Sequence, residues 1–217
     1  MKRAFDVVVA TCLIIATAPL MLAIALLVKL TSPGPALYWS DRVGQNNRIF
    51  SMPKFRTMRI GTPELPTHLL TDSRRWITPV GRVLRKTSLD ELPQLWSILV
   101  GDMSWVGPRP VLFNQTELLE LRTQFGAHRV PVGLTGWAQI NGRDDLEDRP
   151  KAQLDAWYAE NRSFLLDLKI MCLTAVKVLR QEGIVQVDER QTIPLPVEEQ
   201  TIPMPHLEPA ANTRRAA

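Results

Sequence analysis

The chain has 217 residues, a formal net charge of +4 at pH 7 and an isoelectric point near 9.3, which is room for one folded domain with a membrane element and a tail. The basic balance suits anionic lipid headgroups, nucleotides or nucleic acid and does not choose among them. The three histidines lack the spacing of zinc ligands, and the two cysteines lie in apolar stretches, which indicates a reducing compartment rather than a disulfide framework.

The first predicted element is an apolar segment at residues 7–28 that contains no charged residue. As an α-helix it would be about 33 Å long, close to the roughly 30 Å hydrocarbon core of a bilayer. Lys2 and Arg3 precede it and Lys29 follows it, so by the positive-inside rule both flanks favour the cytoplasmic side. Pro19, near the middle, disrupts helical hydrogen bonding. We therefore predict a re-entrant hairpin or strongly bent helix, broken at Pro19.

Two other interpretations of this segment stay open. A secretory signal peptide would explain the basic start, the apolar run and the small residues Ala16-Thr17-Ala18, although the apolar run continues beyond them and Asp6 does not suit a basic leader. An ordinary helix that crosses the membrane once would also fit the length.

The soluble part begins with a loop at residues 31–35, where Ser32-Pro33-Gly34-Pro35 is typical of turns. Strands are predicted at residues 36–40 and 48–58, and helices at residues 80–84, 88–99, 116–124 and 155–182, the last as one long helix or two joined ones. The spacing of Ser88 and Glu91 predicts a capping box at the start of the second helix, with Asp90 as the alternative cap because of Pro93. The apolar stripe of the last helix fits either a core or a membrane interface; its members are Phe164, Leu168, Met171, Ala175 and Leu179.

The composition changes beyond Gly183, where a proline-rich hexapeptide at residues 191–196 recurs with one substitution at residues 200–205. Such a segment is too short and too rich in proline to build a core, and it predicts a flexible, disordered tail. The predicted organisation is a membrane helix with its exit loop at residues 1–35, a catalytic domain with interfacial helices at 36–183 and the tail at 184–217. The fold class is mixed α/β, helix-rich with a small sheet.

An acidic pair, Asp90-Glu91, and an arginine between two prolines, Arg109, carry the chemical signal. Adjacent carboxylates can supply a nucleophile and a metal ligand. Arg109 has little freedom because Pro108 and Pro110 restrict the backbone on both sides. Downstream of a membrane-length segment, this combination points to phosphoryl chemistry at a lipid surface, while a solvated acidic helix start is the alternative for the pair alone.

Residues 1–183 resemble the bacterial sugar transferase family, the small monotopic phosphoglycosyl transferases. Five motifs in order carry the resemblance: Lys2-Arg3-x-x-Asp6, Lys54-Phe55-Arg56-Thr57-Met58, residues 85–95 around Asp90-Glu91, Val106-Gly107-Pro108-Arg109-Pro110, and Gly133 to Arg143. The resemblance implies transfer of a sugar phosphate from a nucleotide sugar, expected to be a uridine nucleotide, to a polyprenyl (undecaprenyl) phosphate. It also implies a re-entrant helix with both ends in the cytoplasm.

The reaction so implied needs a nucleophile, a metal ligand and fixed cations, commonly with Mg²⁺. Asp90 is then the expected nucleophile, and Glu91 ligates the metal, orients Asp90 or takes a proton from the lipid phosphate; both carboxylates are candidate metal ligands. Arg109 is the first candidate for binding phosphate, since its guanidinium matches phosphoryl oxygens. Further candidates for the substrate, cationic or polar, are Lys54, Arg56, Arg85, Thr135, Gln139, Asn141 and Arg143.

The sequence thus predicts a monotopic enzyme at the cytoplasmic face of a bacterial inner membrane that starts a glycan on a polyprenyl carrier through a covalent Asp90 phosphosugar. A noncatalytic scaffold or lipid-binding protein at the membrane surface is the first alternative. A nucleic-acid binder is the second, but it leaves the apolar segment unexplained, and no nucleic-acid motif is visible.

Overall fold

The computed structural model describes residues 2–63, 73–142 and 147–179. Its helices are α1 (Lys2–Thr31), α2 (Ser73–Trp76), α3 (Pro79–Lys86), α4 (Gln94–Val100), α5 (Thr116–Gln124), α6 (Trp137–Ile140), α7 (Asp148–Asn161) and α8 (Phe164–Leu179), and its strands are β1 (Leu37–Val43), β2 (Ile49–Phe55), β3 (Ser104–Val106), β4 (Val111–Leu112) and β5 (Gly133–Thr135). This confirms the predicted helix-rich fold with a small sheet. The predicted tail at 184–217 and the candidate Arg143 lie outside the described residues.

The strands form two small sheets. In the first, β1 and β2 make an antiparallel hairpin in which Leu37 pairs with Phe55, and β4 pairs with the other edge of β1. In the second, β3 and β5 run parallel. The hairpin reverses at Asn46 and Asn47, whose φ angles of 54° and 58° lie in the left-handed region that asparagine tolerates. The strands predicted at residues 36–40 and 48–58 are the two arms of this hairpin.

Helix α1 is one continuous helix of 30 residues, about 45 Å long at 1.5 Å per residue. Within the described residues it is the one helix long and apolar enough to cross a membrane. The helix continues through Pro19, where the sequence predicts a break, so the hairpin form of that prediction differs from the structure. A proline removes one backbone N–H, and an isolated loss of this kind bends a helix without ending it.

Both ends of α1 pack against the same folded domain. At the start, Arg3 donates to the carbonyl oxygens of Ile98 and Leu99 in the last turn of α4, and Asp6 accepts a 2.9 Å hydrogen bond from Ser104 of β3. A cation at the carboxyl end of a helix is favoured by the helix dipole. Near its other end, α1 is buried at Ile24 and Val28 in a cluster whose other buried members are Phe55 and Leu84. Most of the face between these contacts is exposed and apolar, with Ile15 70% and Leu22 73% accessible.

The helix predicted at residues 88–99 is replaced by two elements. Residues Leu89–Glu91 form a 3-10 turn, and α4 begins only at Gln94, after Pro93. Ser88 has a left-handed φ of 56° and makes no side-chain capping bond, so the predicted capping box is wrong, and Asp90 is not a cap either. The physical reason is Pro93, whose ring clashes with the preceding turn in a helix interior and therefore sets the helix start.

The other predicted helices are confirmed, two of the three with shifted bounds. Helix α3 starts at Pro79, where Thr78 accepts a 2.9 Å hydrogen bond from the Gly81 amide, and α5 has the predicted bounds. The last predicted helix is two helices, α7 and α8. On α8 the buried positions are Asp167 and Ile170, whereas Phe164 of the predicted stripe is 46% exposed. The predicted stripe is therefore divided, since Met171 packs against the core cluster while Phe164 and Ala175 are exposed.

Candidate active site

Asp90 and Glu91 are presented by the 3-10 turn between α3 and α4. The left-handed Ser88 redirects the chain, and Asp90 is 8% exposed, which is low for an ionisable side chain. The turn lies next to β2 and α3, so basic residues of both elements lie near the two carboxylates. The prediction that placed a solvated helix start at this position is therefore disfavoured.

Glu91 is held by two cations that come from distant parts of the chain. Lys54 of β2 donates to Oε1 at 3.0 Å, and Arg109 donates to the same oxygen at 2.8 Å. The side chains of Lys54 and Glu91 are 18% and 21% exposed, so their ion pair is largely shielded, whereas Arg109 is 42% exposed. The second carboxylate oxygen, Oε2, takes part in neither contact. Burial raises the pKa of Glu91, but Arg109 and Lys54 outweigh it and hold the pKa well below its ordinary value.

The neighbouring carboxylate has the opposite shift. Burial, assisted by the charge of Glu91, raises the pKa of Asp90 to about 6, and the charges of Lys54 and Arg85 oppose the rise. Asp90 is therefore mostly ionised at pH 7 but is a stronger base than an ordinary aspartate. Two adjacent carboxylates whose pKa values are driven apart are characteristic of sites with divided chemical roles.

The two flanking cations are themselves desolvated. Burial lowers the pKa of Lys54, with the charge of Glu91 opposing, and burial also lowers the pKa of Arg85 against the charges of Asp90 and Glu91. Arg85 is oriented by a 2.9 Å hydrogen bond from its Nε to Thr57. The cluster therefore combines two carboxylates with the cationic side chains of Lys54, Arg85 and Arg109. Most of these groups are shielded from solvent, so their charges interact more strongly than they would in water.

Arg109 is fixed by its main chain as the flanking prolines predict. The Gly107 amide donates to Thr135 at 2.9 Å, and the Gly133 amide donates to the Pro108 carbonyl at 2.9 Å. These bonds need a very close approach of two segments of the chain, since a Cβ on Gly107 would come within 2.1 Å of the Pro131 oxygen. The two glycine-containing motifs of the sequence therefore meet directly, and one supports the segment that carries Arg109.

The remaining predicted site residues have other partners. Arg56 is buried and donates to the carbonyl oxygens of Ser32 and Pro33 in the loop after α1, so its contacts hold that loop and not the acidic pair. Thr135 contacts Thr174 at 2.6 Å, and Asn141 donates to Trp137 at 2.8 Å.

Gln139 donates to the Leu134 carbonyl at 3.2 Å. Its Oε1 is buried and has no hydrogen-bond partner among the residues that the structure describes. Of the predicted substrate ligands, the structure thus gathers Lys54, Arg85 and Arg109 around Asp90-Glu91, while Thr135, Gln139 and Asn141 lie on or after β5.

The carboxylate pair supplies only part of the ligand set that a Mg²⁺ ion needs. Among the described residues, no group of three or more His, Cys, Asp or Glu side chains is arranged to hold a metal. Mg²⁺ is, however, commonly bound by one or two carboxylates together with waters and substrate phosphates. Asp90 and the Oε2 atom of Glu91 are oxygen donors of that kind, so the donor set fits a metal that arrives with a diphosphate.

The sequence analysis did not identify a buried ion pair that contacts the segment carrying Arg109. Arg122 of α5 and Asp155 of α7 form a buried ion pair, 4% and 1% exposed, and Arg122 also donates to the main chain of Arg109. The available signal was the spacing of Arg122 four residues after the apolar Leu118, which places both on the same face of the predicted helix at residues 116–124. A charge on an apolar helix face requires a buried partner.

Comparisons with known proteins all indicate sugar transferases. A sequence model of the family described as "Bacterial sugar transferase" matches residues 1–181. The uncharacterized sugar transferase EpsL of Bacillus subtilis is 44% identical over 190 residues, covering 87% of this chain and 92% of EpsL. The UDP-glucose:undecaprenyl-phosphate glucose-1-phosphate transferase of Escherichia coli is 40% identical over 184 residues, 82% of this chain and 40% of that protein.

The undecaprenyl-phosphate galactose phosphotransferase of Salmonella typhimurium is 38% identical over 199 residues, 84% of this chain and 41% of that protein. The chain therefore spans nearly the whole of one relative and about two fifths of the other two.

Proposed function

The chain belongs to the bacterial sugar transferase family, and from this premise we propose that it transfers a sugar 1-phosphate from a nucleotide sugar to polyprenyl phosphate. The observation that carries the proposal is the shielded Asp90-Glu91 pair in contact with the cations Lys54 and Arg109. The names of the Escherichia coli and Salmonella relatives describe transfer of a sugar phosphate to undecaprenyl phosphate, and the name of the first includes UDP-glucose. A uridine nucleotide is therefore the donor that we propose here.

In the first step, an oxygen of the ionised Asp90 attacks the phosphorus atom next to the sugar. A new P–O bond forms, the bond between the two phosphoryl groups breaks, and the nucleoside monophosphate leaves with the bonding electrons. The sugar phosphate is then held on Asp90 as a mixed anhydride. A pKa of about 6 supports this role, because the carboxylate is ionised at neutral pH and yet more basic than an ordinary one.

In the second step, an oxygen of polyprenyl phosphate attacks the same phosphorus atom. The P–O bond to Asp90 breaks, the carboxylate is regenerated, and the lipid diphosphate sugar is released. Glu91 stays ionised throughout, because Lys54 and Arg109 lower its pKa. It is therefore better suited to hold charge and to orient groups than to take up a proton.

Arg109 is proposed to bind phosphoryl oxygens. It is half-exposed while its main chain is fixed, so its guanidinium can contact a ligand without losing its place beside Glu91. Lys54 and Arg85 add positive charge where negative charge develops in phosphoryl transfer. Mg²⁺, held by Asp90 or Glu91 and the diphosphate, would supply further neutralisation of that charge.

Residues on and after β5 are proposed to contact the nucleotide or the sugar. The buried and unpaired Oε1 of Gln139 supports this, since such an atom gains from a ligand donor. Thr135 and Asn141 are candidates with weaker support because each already has a protein partner. Arg143 and Arg56 remain predictions from the resemblance, and the contacts of Arg56 favour a role in holding the loop after α1.

The membrane arrangement follows from α1. Because both its ends pack on one domain, we propose that both ends lie on the same side of the membrane, the cytoplasmic side, with the exposed apolar face in lipid. A helix that crossed the membrane straight through would place the part of the domain that packs between Arg3 and Val28 in the hydrocarbon core, where its polar groups would lose their water. A bend at Pro19 in the bilayer is compatible with a helix that is continuous.

The proposal is tested by incubating the purified full chain with a panel of nucleotide sugars, Mg²⁺ and polyprenyl phosphate, and by measuring release of nucleoside monophosphate. Release with a uridine-diphosphate sugar, lost in Asp90→Asn, is the expected result. A chain that binds lipid vesicles normally but releases nothing with any donor would instead support the noncatalytic membrane scaffold.

A further inference from the structure

The buried pair of Arg122 and Asp155 connects two helices to the segment that carries Arg109. The Nε and Nη2 atoms of Arg122 donate to Asp155 Oδ2 at 2.8 and 2.6 Å. The remaining terminal nitrogen, Nη1, donates to the carbonyl oxygen of Arg109 at 2.9 Å. One planar guanidinium thus joins α5, α7 and the proline-flanked segment in a fixed geometry.

The carbonyl groups of the Arg109 segment need hydrogen-bond donors from other parts of the chain, because its two prolines have no N–H to donate. Pro108 and Pro110 lack this group, and the Pro108 carbonyl already accepts from Gly133. The next carbonyl, that of Arg109, accepts from Arg122. Two successive carbonyl groups are therefore held by two different elements, which limits rotation of the peptide planes on either side of the Arg109 side chain.

A buried ion pair is by itself a weak source of stability, because desolvation of both charges offsets most of their attraction. Arg122 and Asp155 are among the most buried charged residues of the described chain. Their arrangement is therefore better explained by the geometry that it imposes. The part on which it acts is Arg109, whose Nη2 lies 2.8 Å from Glu91.

We propose that Arg122, oriented by Asp155, is a positioning residue that aims Arg109 at Glu91 and at the phosphoryl groups of the donor. The inference rests on the proposed function for its catalytic consequence, and on the contacts alone for its structural one. Arg122 itself does not touch the acidic pair in this structure. Its influence passes through the Arg109 main chain.

The first test is Arg122→Lys, which keeps the charge but cannot hold Asp155 and the Arg109 carbonyl together. We expect kcat/KM for the nucleotide sugar to fall about 10- to 100-fold, as is typical when a partner that orients a ligating group is lost. In an Arg109→Lys background, the same change should lower kcat/KM by less than about twofold, because residues that act through one another are not additive.

Arg3→Lys is the matched control. Arg3 also donates to two main-chain carbonyls, those of Ile98 and Leu99, but these belong to the end of α4 and not to the Arg109 segment. Its replacement should lower Tm with kcat/KM per folded protein unchanged. An Arg122→Lys enzyme that behaves in the same way, with reduced Tm and unchanged KM and kcat, would overturn the inference.

A second readout is independent of activity. Glu91→Gln should change Tm by a smaller amount in the Arg122→Lys background than in the native one, because the Arg109–Glu91 contact is already loosened there. Equal changes in both backgrounds would overturn the inference. If the native protein releases no nucleoside monophosphate while this coupling is present, the proposed function fails and the positioning role stands. Should Arg122→Lys not fold, Asp155→Glu, which keeps both charges but moves the carboxylate, replaces it in both measurements, with a smaller loss in the same direction expected.

Discussion

Removal of the Lys54 ammonium tests the electrostatics of the site most sharply, since its partner can be neutralised as well. In Lys54→Met, Glu91 keeps Arg109 but loses a charge-assisted hydrogen bond of 3.0 Å. Such bonds are worth about 1.5–3 kcal/mol, and at the 18% and 21% exposure of this pair little of that is screened by solvent. Part of the loss is offset because burial of the ammonium, which lowers the pKa of Lys54, is itself unfavourable.

We therefore expect Lys54→Met to lower the free energy of unfolding by about 1–2 kcal/mol, or about 2–8 °C in Tm for a domain of this size. In a Glu91→Gln background the same substitution should be nearly neutral or stabilising, because no carboxylate remains to be paired. The double-mutant cycle in detergent, by thermal unfolding, should give a coupling of about 2 kcal/mol between the two side chains.

The coupling has a definite pH dependence. The pKa of Glu91 is held below its ordinary value of 4.5, so the pair contributes its full stability above that pH and loses it as the pH falls toward the lowered pKa. Coupling measured at pH 7 should therefore persist at pH 6 and shrink below about 4.5. A coupling under about 0.5 kcal/mol at pH 7, or one that grows on acidification, would refute this account of the site.

Three further predictions concern activity and topology. Because the raised pKa of Asp90 is about 6, release of nucleoside monophosphate should fall as the pH drops through that value, and a rate flat down to pH 5 in a pre-steady-state assay would exclude Asp90 as the ionised nucleophile. Arg109→Lys keeps the charge but loses the planar fork, so kcat/KM should drop by about tenfold or more while Tm changes little, and near-normal turnover would leave Arg109 a structural role. Cysteines introduced at Ala4 and Pro35, in a chain whose native Cys12 and Cys172 are replaced by serine, should both resist a membrane-impermeant reagent applied outside intact cells. Labelling of either from outside would contradict the cytoplasmic location of both ends, and labelling of one alone would rule out the same-side arrangement.

The sequence was most informative where chemistry and backbone restriction coincide. The flanking prolines predicted a fixed Arg109, and the structure holds its segment by bonds to Pro108 and Arg109 carbonyls. The acidic pair was evident from adjacency alone. The contact of Lys54 with Glu91 was not evident, because it joins a residue of β2 to a residue of the 3-10 turn 37 positions later, and the local sequence at either position does not indicate the other.

The local sequence pattern gave a wrong prediction where a helix cap and a 3-10 turn share the same residue spacing. Ser88 and Glu91 have the separation of a capping box, but a 3-10 turn places residues at the same separation, and Pro93 decides in its favour. The charges at the start of the chain were also incompletely interpreted from the sequence. Lys2 and Arg3 were taken as charges that flank a membrane, whereas the structure pairs Lys2 with Asp167 and places Arg3 at the end of α4.

Periodicity also has a limit on α8. A stripe at three- and four-residue spacing identifies an apolar face but not what that face meets. The described core side of α8 carries Asp167, which accepts hydrogen bonds from Tyr158 and Lys2, while Leu165 beside it is 78% exposed. The polar residue is inside and the apolar one is outside, which is the arrangement expected if the outer face of α8 contacts lipid beside the apolar α1.

The central claim is that Asp90 carries the sugar phosphate, and intact-protein mass spectrometry tests it most directly. With a uridine-diphosphate sugar and Mg²⁺ but no lipid acceptor, the chain should release nucleoside monophosphate in one stoichiometric burst and gain the mass of a single sugar phosphate. The adduct should map to Asp90, be absent in Asp90→Asn, and disappear when polyprenyl phosphate is added. Nucleoside monophosphate that appears only in the presence of polyprenyl phosphate, with no adduct trapped under any condition, would contradict the account and indicate direct transfer.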